Sequence, residues 1–230
     1  MKNNQLAEFI GILLGDGNLH KTSTCITIVG SIEEKGYYED HVIPLIKNLF
    51  EVNPKLRKRN DRNAYYIQFH SKKAMDFLLR IGMIRGNKKN ARIPPVIKTN
   101  KEYITAFLRG LFDTDGCLKF SKQNKERLYY PRIRLGLLDS PLVYEIKGLL
   151  HKLEFNFSVY KNTRFNGLIT YEISGCKNLE RWMKEIGSNN PVQLSKYLVW
   201  KKYGFYTAKS SLRLRLQSLQ SLSLNTHFSH

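Results

Sequence analysis

Two aspartates end matching stretches of this chain. Residues 9–17 read Phe-Ile-Gly-Ile-Leu-Leu-Gly-Asp-Gly, and residues 108–116 read Leu-Arg-Gly-Leu-Phe-Asp-Thr-Asp-Gly. Each copy places glycine third, apolar residues around it, a small residue seventh, and then Asp-Gly, so Asp16 and Asp115 are equivalent. An internal repeat that ends in a carboxylate implies a two-fold-like body with two acids meeting at its axis. Each acid would lie in the last turn of a helix, where the dipole is already negative and an anion is disfavoured. Two such ends side by side form an acidic spot that a divalent cation can neutralise.

The elements that must deliver these acids are legible in the same stretches. The apolar runs over residues 6–14 and 104–112 are long enough for buried helices. Gly11 and Gly15 lie four apart on one helix face, as do Gly110 and Thr114 in the second copy. Small residues at that spacing let two helix backbones approach closely. Gly17 and Gly116 fall where the helices end, and the left-handed cap conformation that glycine tolerates is the expected reason.

After the first motif, alternating Thr, Ile and Val over 18–29 read as a hairpin. Residues 33–50 read as a helix with Val42, Leu45, Ile46 and Leu49 on one face, bent or started late by Pro44. A second hairpin is expected over 55–60 and 65–70, then a helix over 73–81 ending near Gly82. Residues 85–101 are basic, contain Pro94-Pro95 and read as a linker. The second half repeats the order: motif helix 102–115, hairpin 117–121 and 130–137, and a helix from Ser140-Pro141 (N-cap, then proline first) to about 153. Strands near 157–161 and 168–173 and a helix 177–186 follow. The predicted fold class is therefore α+β: two pseudo-symmetric αββαββα halves, each with a curved, antiparallel four-stranded sheet and one open face. The halves are assigned as 1–100 with the linker and 101–207. The Ser-, Leu- and Gln-rich tail 208–230 is given no function.

A chain of 230 residues with 42% hydrophobic residues can build a real core. It carries 38 Lys and Arg against 19 Asp and Glu, a net charge of +19, which suits a polyanionic partner. Its three cysteines have no metal-ligand spacing and form no even disulfide set, which fits reduced thiols inside a cell. The N-terminus makes a poor signal peptide, and no apolar run approaches a membrane span. An intracellular protein, cytoplasmic or organellar and not secreted, is expected.

The paired stretches resemble the motif of the LAGLIDADG homing endonucleases, in the single-chain form with two motifs, and the resemblance extends over roughly residues 1–205. Leu14 stands where the family often has aspartate, but both copies keep the carboxylate at the eighth position. The resemblance implies a monomer with pseudo-two-fold symmetry. It would make metal-dependent double-strand breaks with 3′ overhangs in a long DNA target, as part of intron or intein mobility. It implies Mg²⁺, roughly two or three ions, held by Asp16 and Asp115 beside Gly15 and Thr114. An active-site lysine from the end of each repeat is implied too, with Lys89 and Lys196 as the candidates, next to Lys88. Lys119 is a further candidate, four residues past Asp115. A solvated or phosphate-neutralising charge is the alternative for each of these lysines. Asp113 reads as a polar or capping residue, because a calcium loop would need a glycine where Leu118 stands.

DNA contacts are expected from the open sheet faces, since a β-ribbon fits the major groove. Alternation turns Tyr66, Gln68 and His70 outward in the first half, and Arg132 and Arg134 in the second. Arg57, Arg59, Arg62 and Arg164 lie on or near hairpin tips. The rival readings are an intron RNA-splicing maturase, with intron RNA as its partner, and a cleavage-inactive DNA-binding protein on the same fold.

Overall fold

The computed structural model describes residues 2–124, 126–162 and 167–220. The two motif runs form helices α1 (Lys2–Gly15) and α5 (Lys101–Asp115). Asn100 opens α5, its side chain accepting the Glu102 N–H at 2.7 Å. Both helices are apolar nearly all round: Phe9, Ile10, Ile12, Phe107, Leu108, Leu111 and Phe112 are fully buried. That pattern belongs to a helix with protein on every side, here the other motif helix and its own half of the molecule. The pair meets backbone to backbone. A Cβ on Gly11 would lie 2.2 Å from the Phe107 carbonyl oxygen, and one on Gly110 would lie 2.2 Å from that of Glu8.

Gly17 and Gly116 serve a different purpose from the one expected. Neither has a positive φ, and Gly116 is extended at φ −85°. They are required for room. A Cβ on Gly17 would sit 2.6 Å from the Leu13 Cα, and one on Gly116 would sit 2.3 Å from the Phe112 carbonyl oxygen. The chain passes straight from helix to strand, folded back over its own last turn.

In the first half, strands β1 (Gly17–Leu19), β2 (Cys25–Ser31), β3 (Lys55–Lys58) and β4 (Ala64–His70) form one antiparallel sheet in the order β1-β2-β4-β3. In the second half, β5 (Gly116–Ser121), β6 (Tyr130–Leu138), β7 (Ser158–Asn162) and β8 (Leu168–Ser174) repeat it as β5-β6-β8-β7. The fold is α+β, as predicted. Leu19, Ile26, Ile28, Ile67 and Phe69 point into the first core. Leu118, Ile133, Leu135, Ile169, Tyr171 and Ile173 point into the second. The strand period of two then leaves the opposite face of each sheet to polar residues.

The expected helix 33–50 is broken into four pieces. A 3-10 turn (Ile32–Glu34) leads to α2 (Lys35–Tyr37), a π-helical segment (Tyr38–Val42) and α3 (Ile43–Phe50). Pro44, in the first turn of α3, has no N–H to give, and the chain widens just before it, with the Ile43 N–H reaching back to Tyr38 O. Tyr37 and Tyr38 are both turned inside as a result. Helix α4 (Lys72–Arg80) starts at Ser71, which accepts the Ala74 N–H. The linker holds two 3-10 turns, Lys88–Asn90 and Pro95–Thr99. Helices α6 (Pro141–Lys152) and α7 (Cys176–Glu185) complete the second half. Ser140 precedes α6 as expected but makes no side-chain cap bond, leaving Pro141 as the start signal.

Two helices lie outside the repeat. Helix α8 (Pro191–Tyr203) is capped by Asn190, and α9 (Leu212–Gln220) packs on it through Arg215, buried, with Nε 2.9 Å from Ser195 Oγ. Part of the tail is therefore a packed helix. No helix among the described residues is long and apolar enough to cross a membrane.

Candidate active site and nucleic-acid interface

Close approach at Gly11 and Gly110 carries the two helix ends to the same point. A Cβ on Gly15 would lie 2.0 Å from Thr114 Oγ1 and 3.5 Å from the Asp115 carboxyl carbon. Asp16 follows α1, its N–H bonded to Ile12 O at 3.0 Å, and Asp115 is the last residue of α5. Tyr38, turned inward by the π-helical segment, donates its hydroxyl to Asp16 Oδ2 at 3.1 Å. Burial, and then the negative charges of Asp115 and Glu34, raise the Asp16 carboxyl to about 7. Burial also raises Asp115, with Lys88 pulling it back.

Lys88 is the cation aimed at this pair. Its ammonium donates to the carbonyls of Leu14, at 2.9 Å, and Gly15. Burial lowers its pKa, against the pull of Asp115 and Asp16. The Asn87 side chain accepts the Lys89 N–H and shapes the turn that holds Lys88 in place. Lys89 itself is exposed and lines, with Lys88, Gly15 and Asp115, a cleft of about 540 Å³. Counting from the Ile-Gly that ends each half, Ile81-Gly82 and Ile186-Gly187, the position matching Lys88 is Gln193. Gln193 is buried and clamps the start of β5, accepting from the Leu118 N–H at 3.0 Å and donating to Gly116 O at 3.2 Å. Lys196 donates to the same Gln193 oxygen at 3.3 Å, and its charge reaches Glu34. Lys119 is exposed on β5 opposite Arg132. The Gly15 carbonyl is thus engaged by Lys88, and the Thr114 hydroxyl donates into its own helix, to Gly110 O and Leu111 O.

No group of three or more His, Cys, Asp or Glu side chains among the described residues could hold a metal ion. The donor set is two half-buried carboxylates at two helix C-termini. That set fits Mg²⁺, which takes only one or two carboxylates and fills its remaining positions with water and substrate oxygens.

A polar layer ties the halves together behind the aspartates. The buried Asn190 side chain accepts the Val192 N–H and donates to Glu34 Oε1, at 2.8 Å, and to Asp113 O, at 2.7 Å. Asp113 is buried, and its carboxylate accepts from Ser188 Oγ at 2.5 Å and the Asn189 N–H at 2.8 Å, so it caps this loop. Burial raises it to about 7. Glu8 crosses the seam to Arg109 (2.8 Å) and Asn189 (2.7 Å), and meets His41 of its own half at 2.7 Å. Burial alone would push Glu8 up, but His41 and Arg109 override it and hold the carboxyl at about 2.

The open faces carry the expected polar residues. On the first sheet Gln68 pairs with both Thr27 and Lys55, and Tyr66 pairs with Arg57. Gln68, His70 and Arg57 are exposed, and Tyr66 is half-buried. At the β3–β4 turn, Arg59 and Arg62 both reach Asp61, Arg59 through Nε at 2.8 Å. Arg132 and Arg134 face out on β6 as expected, but they are not loose. Both bind the buried carboxylate of Glu172 on β8, Arg134 with Nε and Nη2 at 2.5 Å from Oε2. Arg164 lies outside the described residues. Lys88, named from sequence only beside Lys89, is the inward member of its pair, and Glu172, Tyr38, Glu34 and Asn190 complete the site beyond the residues singled out from sequence. Of these, Asn190 carried a local signal in the Asn-Pro start of α8, and Glu34 carried one in the Ser31-x-x-Glu34 capping box.

Two acid-tipped helices packed through glycines, under two four-stranded sheets, define a LAGLIDADG homing endonuclease-like fold. Residues 102–187 match the family model described as a LAGLIDADG-like domain. The structure of I-DmoI in complex with DNA and Mn superposes with a TM-score of 0.59 at 17% identity, covering 81% of this chain and 98% of that one. Full-length DUF199/WhiA from Thermatoga maritima superposes with a TM-score of 0.56 at 12% identity, covering 99% of this chain and 69% of that one. In sequence, the replication factor C small subunit of Methanocaldococcus jannaschii is 30% identical over 209 residues, which are 85% of this chain and 10% of that protein. The chain spans about a tenth of the length of that protein and of the DNA polymerase of Thermococcus sp. that it also matches.

Proposed function

We propose that this protein is a site-specific DNA endonuclease that makes metal-dependent double-strand breaks in a long target, acting as a monomer inside the cell. The observation that carries this reading is the place of Asp16 and Asp115. They lie half-buried side by side at the ends of the two motif helices, with the Lys88 ammonium held on the last carbonyls of the first helix and interacting with both. I-DmoI structures in complex with DNA and Mn, Ca or Mg support a divalent ion. Such an ion, held by Asp16 and Asp115, would supply an activated water and stabilise the leaving oxygen. The chain's own residues do the rest. Glycine contacts fix the spacing of the carboxylates, Tyr38 orients Asp16, and Lys88 offers positive charge where the phosphate's negative charge grows. The sheet faces hold the duplex and set the register of cutting.

The test uses DNA flanking the protein's own gene, with the reading frame removed, incubated with and without Mg²⁺. Cutting at one site is expected only with Mg²⁺. It should be lost in Asp16→Asn and in Asp115→Asn, while binding persists. Cleavage by either variant at the wild-type rate would remove that aspartate from the active site. A second reading is DNA binding without cleavage, and the likeness of the fold to DUF199/WhiA supports it. Tight, sequence-selective binding with no cutting in any divalent ion would establish it. Binding of intron RNA without DNA nicking would instead mark a splicing role.

A further inference from the structure

We infer that Glu172 is a positioning residue that sets sequence specificity: it locks Arg132 and Arg134 into a fixed fork that reads guanine edges in one half of the target only. The inference rests on the DNA-binding reading above and deepens it. The core residues of β8 are Ile169, Tyr171 and Ile173, so alternation puts Glu172 on the open face, where a carboxylate should be solvated. It is instead buried, because two guanidinium groups from the neighbouring strand cover it. Arg134 lies directly across the ladder from Glu172, and Arg132 across from Ser174. Ser174 Oγ adds a third bond to the same carboxylate, at 3.1 Å. Arg132 is further held by Ser121 Oγ at 3.2 Å from its Nε, and its guanidinium lies over the Tyr130 ring at 5.5 Å.

Two consequences follow from this geometry. Among the described residues, Arg132 Nη2 and Arg134 Nη1 donate no hydrogen bond to protein, and both side chains stay partly exposed on the outward face of the sheet. Arginine reads guanine through O6 and N7, and a guanidinium already fixed loses little freedom on docking. A carboxylate beneath the fork also offsets one of its two charges, which weakens sequence-blind attraction to phosphates.

The first half supplies an internal comparison. Asn18 pairs with Thr27 as Cys117 pairs with Arg134, so Thr27, Cys25 and Gln68 occupy the places of Arg134, Arg132 and Glu172. There the cluster is uncharged: Gln68 Nε2 meets Cys25 Sγ at 3.0 Å, and Cys25 Sγ lies 3.6 Å from Thr27 Oγ1. The same spot on the two sheets therefore reads DNA with different chemistry, and the target is asymmetric there.

The experiment selects binders from a random-sequence duplex library without divalent ions, using the full chain, Glu172→Gln and Arg134→Lys in parallel. Each protein's binding to a selected duplex and to a scrambled one is then followed against salt, with melting curves to establish folding. The wild type should enrich guanine at two nearby positions in one half-site. Glu172→Gln should lose that preference roughly ten-fold or more while binding scrambled duplex at least as tightly as the wild type. Arg134→Lys keeps the charge, so its salt slope should stand while preference falls at one position. A merely structural glutamate would instead lower melting temperature and affinity for all sequences alike, and that result overturns the inference. So does unchanged preference in Arg134→Lys, which decides the matter if Glu172→Gln does not fold. A wild-type protein that enriches no sequence overturns the DNA reading itself, whereas a wild-type consensus untouched by the variants overturns only the fork.

Discussion

Glu8 shows how far a single side chain in this molecule depends on its neighbours. Its carboxyl sits at about 2, below the usual 4.5, because the hydrogen bonds and charge interactions with His41 and Arg109 outweigh the cost of burial. A depressed acid contributes stability that is present above its unfolded pKa and lost as pH falls through the folded one. The window is therefore about 4.5 down to about 2. Urea melts across that range should lose roughly 3 kcal/mol from this group, and Glu8→Gln should flatten that limb while lowering stability at neutral pH. Lys88 makes the matching case for chemistry. Lys88→Met should slow single-turnover cleavage by roughly 10²-fold with little change in affinity, because the ammonium faces the aspartates rather than the open sheet. An equal loss in binding would make Lys88 a phosphate contact instead. The sequence revealed the two aspartates because their repeat marks them. It pointed to the lysine cluster at 88–89 but not to which member turns inward, since that depends on the 3-10 turn that Asn87 caps. Glu172 was hidden for a related reason: its burial comes from arginines on another strand, far away in sequence.

Among the elements, the helix pair governs everything else. Replacing Gly11 by valine would drive a side chain into the Phe107 carbonyl and the Leu111 amide. Backbone cannot yield as a side chain does, so a loss of about 3 kcal/mol or more is expected in thermal or denaturant melts. Asn190 is the second structural pin, joining the α8 cap, Glu34 and the α5 backbone. Asn190→Ala should cost roughly 2–4 kcal/mol, from one lost cap and two acceptors left dry, and a smaller change would show water replacing the amide. The repeat elements were readable because each has strong apolar periodicity bounded by Gly, Pro or Ser. Helix α8 escaped notice because it has no counterpart in the first half, although Asn190-Pro191 announces it as plainly as Ser140-Pro141 announces α6. The π-helical segment was legible only as a disturbance at Pro44. Its direction, which swings Tyr38 onto Asp16, emerges only from packing.

For the molecule as a whole, the net charge of +19 sets the expected behaviour toward DNA. Counterion release should make log affinity fall linearly with log salt concentration, with a slope near −0.9 per phosphate neutralised. A flat dependence would mean that the basic residues serve another partner. Sequence-selective contacts should survive as a difference between target and scrambled duplex at every salt concentration. The reciprocal contact of Gly11 and Gly110 carries a consequence for the history of such a chain. A seam made of main-chain atoms asks little of the side chains that flank it, only that two positions stay bare. Each half can then accumulate changes on its outer sheet without renegotiating its fit to the other. Halves of different ancestry become exchangeable wherever the glycines are kept and the polar ties at Glu8 and Asn190 travel with them.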